Sequence, residues 1–440
     1  MKTKVRASVA VAALMALSAC GIFKGGKKTT PVLGNRVPIL VSEDDVKADP
    51  SLANVQVLLP DPVANTEWTQ PGGNATKAMG HLALGDSVQR AWSAQIAGGS
   101  KRERLGAAPI VADGRLYVED TNAVVHSFDA ATGAAGWSTE IAKDNQNAAA
   151  RFGGGVSYDA GKLYATDGLG DVVALNANDG SEIWRVRPGA PLRGAPTVAY
   201  GQVYVVTQDN QLFALSETDG KVVWTSTGSL ESQGVFGVAA PAVGQGTVVA
   251  GFSSGELNAY RYENGRSLWG DALSRTSIST SVSSLADIDA DPVIDQGQVY
   301  AVGQGGRMVA LEIVTGQRLW EQDFAGLATP YVAGEWVFVV TNDARVICIA
   351  RGSGKIRWIS QLNGFKNMKK HKHPIYWDGP VVAGNKLVLV NSEGQIVFLS
   401  PQTGEVQRTI ETGSSFSLPP VVAQNTLYVL DHDGRVTAYR

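Results

Sequence analysis

Only two cysteines, Cys20 and Cys348, stand in 440 residues, so no disulfide framework can hold this chain and stability must come from packing. Histidine is nearly as scarce. His81, His126, His371, His373 and His432 form no H-E-x-x-H pair, and no nucleophile elbow accompanies them. Charged residues are 18% of the chain and the formal net charge is −3, which leaves no global field to draw in nucleic acid. The apolar run from Val9 to Leu17 is, at about ten residues, too short to cross a bilayer as a helix.

What the chain has instead is glycine, 50 residues of it, and 44% apolar residues broken into short runs. One pattern recurs from about residue 80 onward. "VVHSFDAATGAAGW" ends on Trp137, "VVALNANDGSEIW" on Trp184, "QLFALSETDGKVVW" on Trp224 and "ELNAYRYENGRSLW" on Trp269. "RMVALEIVTGQRLW" then ends on Trp320, "RVICIARGSGKIRW" on Trp358, and "QIVFLSPQTGEVQR" puts Arg408 in the tryptophan place. In each copy an alternating strand meets a turn whose glycine accepts positive φ, and the tryptophan, or Arg408 in the seventh, stands on the next strand.

A second hairpin precedes each copy, as in "APIVADGRLYVED" and "GPVVAGNKLVLVNSEG". One repeat is therefore four short strands in about 45 residues, the period of a β-propeller blade. Such a sheet cannot bury both faces alone, and radial stacking solves that problem. The last repeat stops after its third strand, Arg435 to Arg440, while "SVQRAWSAQI" around Trp92 is a fourth strand with no hairpin before it. The expected fold is all-β: an eight-bladed propeller of four-stranded antiparallel blades, closed by pairing the N-terminal strand with the C-terminal one, with no free edge left at the seam. Alternation places Cys348 on a strand as a buried, inert thiol.

The N-terminus reads as a targeting segment. Lys2, Lys4 and Arg6 precede the apolar run, and Leu17-Ser18-Ala19-Cys20-Gly21 resembles the cleavage and acylation site of bacterial lipoproteins. The expected organisation is a signal peptide over residues 1–19, then a lipidated tether and irregular segment over 20–77, then the propeller over 78–440. Part of the irregular segment is expected to lie over the folded body.

Repeats of the form A-L-x-A-x-T/D-G-x-x-x-W resemble those of pyrroloquinoline-quinone (PQQ) enzyme propellers and of their non-enzymatic relatives, the BamB family of outer-membrane lipoproteins. The dehydrogenases of that group would be expected to carry a vicinal cysteine pair, and the sequence has none. The BamB resemblance implies a scaffold with no cofactor, no catalytic residue and no metal, lipid-anchored through Cys20 to the outer membrane and facing the periplasm. Gly21 after the cysteine fits that destination. Its implied partners are periplasmic domains of BamA and other components of the barrel-assembly machinery, with unfolded outer-membrane proteins as further candidates. The competing readings are a PQQ-dependent dehydrogenase and a periplasmic ligand-binding propeller.

The resemblance also implies where the partner docks. "SVSSLADIDADPVI" matches an acidic L-x-D-x-D segment of the family, which assigns Leu285, Asp287 and Asp289 to the interface; capping of a turn is the structural alternative. The family's second contact is a hydrophobic-Arg-Gly segment before Ala-Pro. Here "GVFGVAAP" puts Val235, Phe236 and Gly237 in those places, with Phe236 where the arginine is expected, so the arginine's ion pair cannot be carried over. "PLRGAP", residues 191–196, looks more like that motif but belongs to an earlier repeat. Finally, "FKNMKKHKHPIYW" concentrates Lys366, Lys369, Lys370 and Lys372 in one loop, either as a solvated face or as a contact to an acidic partner or anionic head groups; two histidines alone close no metal shell.

Overall fold

The computed structural model describes residues 46–143, 147–230, 237, 239–274 and 286–440. Eight antiparallel four-stranded sheets follow one another along these residues. We number them as blades one to eight: residues 110–140, 155–186, 197–227, 242–272, 293–322, 331–361, 377–411, and 421–439 completed by the strand Arg90–Gln95. That strand pairs antiparallel with Arg435–Tyr439, Trp92 opposite Ala438, so the two ends of the ring sit in one sheet. In blades one to seven the first and second strands, and the third and fourth, turn on one face of the ring, and blade eight keeps the first of these turns. The connectors from blade to blade run on the other.

Each tryptophan of the repeat locks its blade to the next. Trp320 lies on Gly354 of the following blade, and its Nε1 donates to the Arg351 carbonyl at 2.7 Å. Trp358 does the same on Gly404 and the Pro401 carbonyl, and Trp92 on Gly133 and the Ala130 carbonyl. The turn glycine is thus required twice. Gly354 has φ of +70°, and a Cβ there would come within 2.6 Å of the Trp320 indole. A second-strand aromatic flanks most of these indoles, Tyr300 beside Trp320 with ring centroids 6.0 Å apart.

The seventh interface explains Arg408. Blade eight has no turn between its third and fourth strands, because the chain ends after one and enters at the other. An indole there would have no turn to lie on. Arg408 reaches instead to the Val88 carbonyl at 2.8 Å, keeping one donor across the interface without the ring. A cavity of about 380 Å³ remains beside it, lined by Val88, Arg90, Arg408, Phe416 and Arg435 among others.

Residues 65–82 form the hub. Inner strands present bare N–H and C=O groups to the central channel, an edge that must find partners. In seven of the eight blades the penultimate residue of that strand, or its neighbour, bonds to residues 65–82. Trp68 pairs with Val111 through two backbone bonds of 2.8 Å in blade one, and Thr69 accepts from Tyr158 in blade two. The Gln70 carboxamide takes the place of a peptide group against Val198 in blade three, accepting from its N–H at 2.8 Å and donating to its carbonyl at 2.9 Å. Ala75 accepts from Val243, Thr76 accepts from Ile294, and Leu82 donates to Val382. Asn65 closes the circuit on blade eight, donating to the Val422 carbonyl and accepting from Gln424 N–H. His81, buried, holds Pro60 through Nδ1 and accepts Asn385 N–H at Nε2, which fixes the tautomer with the proton on Nδ1.

Trp320→Ala should therefore cost about 3–5 kcal/mol, the range for emptying a buried aromatic site. Arg408→Ala should cost only about 1 kcal/mol, the net value of one hydrogen bond. Urea denaturation of both variants checks the contrast; equal losses would remove the lock from the tryptophan.

Candidate functional site

The blade-to-blade connectors carry every candidate contact that the sequence singles out. Val235, Phe236 and Leu285, like Cys20, lie outside the described residues. Gly237, Asp287 and Asp289 lie within them. The connector into blade five folds back over blade four: Ile288 N–H donates to Phe252 O and its side chain covers Gly251, where a Cβ would approach to 2.4 Å. This anchoring buries Asp287, 1% exposed, with its carbonyl accepting from Gln304 N–H. Asp289 comes out half-buried, on the side of Gly237, whose Cβ position lies 3.7 Å from Asp289 Oδ1. Two of the sequence candidates from separate repeats, Gly237 and Asp289, thus meet. Asp287 is the more deeply buried of the two, and Asp289 is the carboxylate that meets the neighbouring connector.

Burial, reinforced by repulsion from Asp287, pushes the Asp289 carboxyl up to about 7. Its Oδ2 is enclosed and has no hydrogen-bond partner among the described residues. Such a group is poised between its neutral and charged forms near neutral pH. A partner that donates to it, or brings a cation, would favour the charged form.

Arg193 of "PLRGAP" is occupied elsewhere. Its guanidinium stacks on Phe152, 4.7 Å from the ring centroid, and donates to the Phe152 carbonyl, which points it into blade two. The lysine-rich stretch forms a two-stranded hairpin of its own, Phe365–Asn367 with Lys372–Pro374, on the same connector face. Lys366 pairs with Glu393 at 2.6 Å, while Lys369, Lys370 and Lys372 are exposed. Cys348 is fully buried and burial drives its thiol pKa far up, consistent with an inert core group.

The channel holds polar residues that the sequence reading did not single out. Lys77 is 2% exposed, its Nζ donating to Thr197 Oγ1 at 3.0 Å, and burial pulls it down to about 8 against the attraction of Asp291. Burial in turn raises Asp291, which accepts from Ala240 N–H at 2.7 Å, and holds Asp378 up to about 6. The repeat contained a signal for Asp291. The residue before the inner-strand proline is Ala108, Ala195, Ala240, Thr329 or Gly379 in other blades, and aspartate stands there in blade five.

Comparison with known proteins follows this geometry. A family model described as "Outer membrane protein assembly factor BamB" matches residues 83–148, 121–360 and 366–440. The outer membrane protein assembly factor BamB of Yersinia pestis is 27% identical over 359 residues, covering 80% of this chain and 89% of that one. That of Escherichia coli K12 is 28% identical over 351 residues, 79% and 87% of the two chains. Among solved structures, BamB from Moraxella catarrhalis superposes with a TM-score of 0.66 at 18% identity, over 80% of this chain and 99% of that one. Quinohemoprotein alcohol dehydrogenase from Comamonas testosteroni gives 0.67 at 14% identity, over 90% and 82%. Those two scores show a shared fold and do not separate scaffold from enzyme. The family model spans most of the sequence, and this chain belongs to the BamB family of outer membrane protein assembly factors.

Proposed function

We propose that the protein is a non-enzymatic scaffold of the outer-membrane β-barrel assembly machinery, docking a periplasmic domain of BamA on its connector face. The observation that carries this reading is the meeting of Gly237 and Asp289 from neighbouring connectors, within a family whose members are outer membrane protein assembly factors. Asp289 is the carboxylate of the contact, with the buried Asp287 two residues before it in sequence, and Val235, Phe236 and Leu285 are its apolar residues. Residues 1–19 act as a signal peptide, and Cys20 carries the lipid that holds the ring at the outer membrane on the periplasmic side. Other barrel-assembly components, and unfolded outer-membrane proteins, are further partners of the same scaffold.

A dehydrogenase reading rests on the fold alone. Against it stand the lack of a cysteine pair and inner-strand edges already bonded, in seven blades, to the chain's own residues 65–82. Purified protein mixed with the quinone and calcium should show neither quinone absorbance nor alcohol oxidation.

Affinity purification from native membranes should recover BamA, and Asp289→Lys should reduce that recovery by about tenfold, equivalent to about 1.4 kcal/mol. A melting curve of the variant keeps the readout specific, loss of recovery by a protein that still melts cooperatively being the expected result; undiminished recovery removes Asp289 from the interface. Asp287→Lys is the wrong probe, since a buried lysine there would unfold the connector.

Asp289 also makes a pH prediction. Folded, it keeps its proton up to about 7, whereas an unperturbed aspartate releases it near 3.8. Folding therefore takes up a proton between these values, and the resulting stability is complete below the lower one and lost as pH rises through the upper. Asp289→Asn should remove this component. Urea midpoints at about pH 5 and about pH 8 should draw closer together in the variant than in the parent protein, and parallel profiles would contradict the burial of Asp289.

A further inference from the structure

We propose that the central channel is a binding site for an extended polypeptide, and that residues 65–82 are its resident ligand, bound in cis. Four observations converge on this. The contacts fall at one equivalent place in seven inner strands, so the ring offers a repeated set of edge groups rather than one fitted pocket. The segment has no strand or helix of its own; between Pro50–Leu52 and Arg90–Gln95 its course follows from the edges it satisfies. Where its backbone turns away, side-chain amides substitute, Gln70 against Val198 and Asn65 against Val422. Three buried anchors fix the register: Trp68 at 3% exposure, Leu82 at 1%, and Lys77 at 2%, the last tied to Thr197 and drawn to Asp291.

The ligand is recognised as a chain, by edge hydrogen bonds plus an aromatic, a cationic and an aliphatic anchor, in the manner of strand addition to an open sheet. Its sharp bend is built in. Gln70 O accepts from Gly73 N–H, Asn74 Oδ1 accepts from Thr76 N–H and Oγ1, and a Cβ on Gly73 would come within 2.3 Å of Met79. The link to the ring is short and accessible. Gly85 to Ser87 joins the hub to the strand of blade eight, and the Asp86 side chain is 98% exposed. With no disulfide in the described chain, a cut there leaves segment and ring associated through noncovalent contacts alone. The inference stands apart from the identity of the docking partner.

The experiment inserts a specific protease site at residues 85–87 of the full chain and cleaves the folded protein. The expected result is co-elution of the N-terminal fragment with the ring in size exclusion. The cleaved protein is then unfolded in urea and refolded with an excess of fluorescently labelled peptide spanning residues 60–84. Labelled peptide should enter the ring; a Gln70→Ala peptide should compete about tenfold less well for its lost hydrogen bonds, and a Trp68→Ala peptide at least about a hundredfold less well for its lost aromatic anchor. A fragment that leaves a still-folded ring, a ring that refolds without taking up peptide, or uptake indifferent to Trp68 and Gln70, would each overturn the proposal.

Discussion

The ring depends on one contact made again and again: an indole lying on the turn glycine of the next blade, with its N–H given to a carbonyl of that turn. The contact couples sequence to architecture because it needs both residues at once. Glycine supplies the positive φ, and its missing side chain supplies the floor for the indole. A large buried ring removes about 150–250 Å² from water, so each interface gains several kcal/mol at about 25 cal/mol per Å². The exception supports the rule. Where the chain termini replace a turn, the tryptophan is replaced by Arg408, which spans the gap with a hydrogen bond and leaves a cavity beside it.

Radial stacking buries faces and leaves edges. The outer edges twist toward solvent, but the inner ones converge on an axis too narrow for bulk water to satisfy them freely. The chain answers with its own N-terminal segment, whose hydrogen bonds reach seven blades. A polar set of Lys77, Asp291, Asp378 and Thr197 accompanies it, so the hub is fixed by directional contacts as well as by apolar ones. Ring and hub are consequently one folding problem: neither has its backbone groups satisfied without the other.

The blades, their number and the seam were legible because they rest on side-chain periodicity, which a sequence displays directly. Trp92 in register with Trp137 was enough to place the N-terminal strand in the last blade. The hub was illegible for the complementary reason. Its recognition runs through backbone groups and two carboxamides, so residues 65–82 show no pattern of their own. The acidic connector was half legible. Its sequence marks Asp287 and Asp289 alike, yet only packing of Ile288 over Gly251 decides that Asp287 is fully buried and Asp289 meets Gly237. Asp291 could have been found by aligning the residue before each inner-strand proline, a comparison between repeats rather than within one.

Where function enters, it enters at the places that escape the repeat. The eight blades make a rigid disc whose connector face can change without loss of the ring, since connectors contribute little to the indole locks. That freedom allows a carboxyl to be held near the midpoint of its titration, at a stability cost the disc can absorb. Asp287 and Asp289 illustrate the division of labour: burial, reinforced by Asp287, raises the proton affinity of Asp289, and Asp289 meets a neighbouring connector at Gly237. An interface group of this kind gains most from a partner that supplies a donor, because binding then resolves a charge the isolated ring leaves half-formed. In the proposed scaffold role this acid is the group that selects the partner, and the regularity of the blades is what keeps it in place.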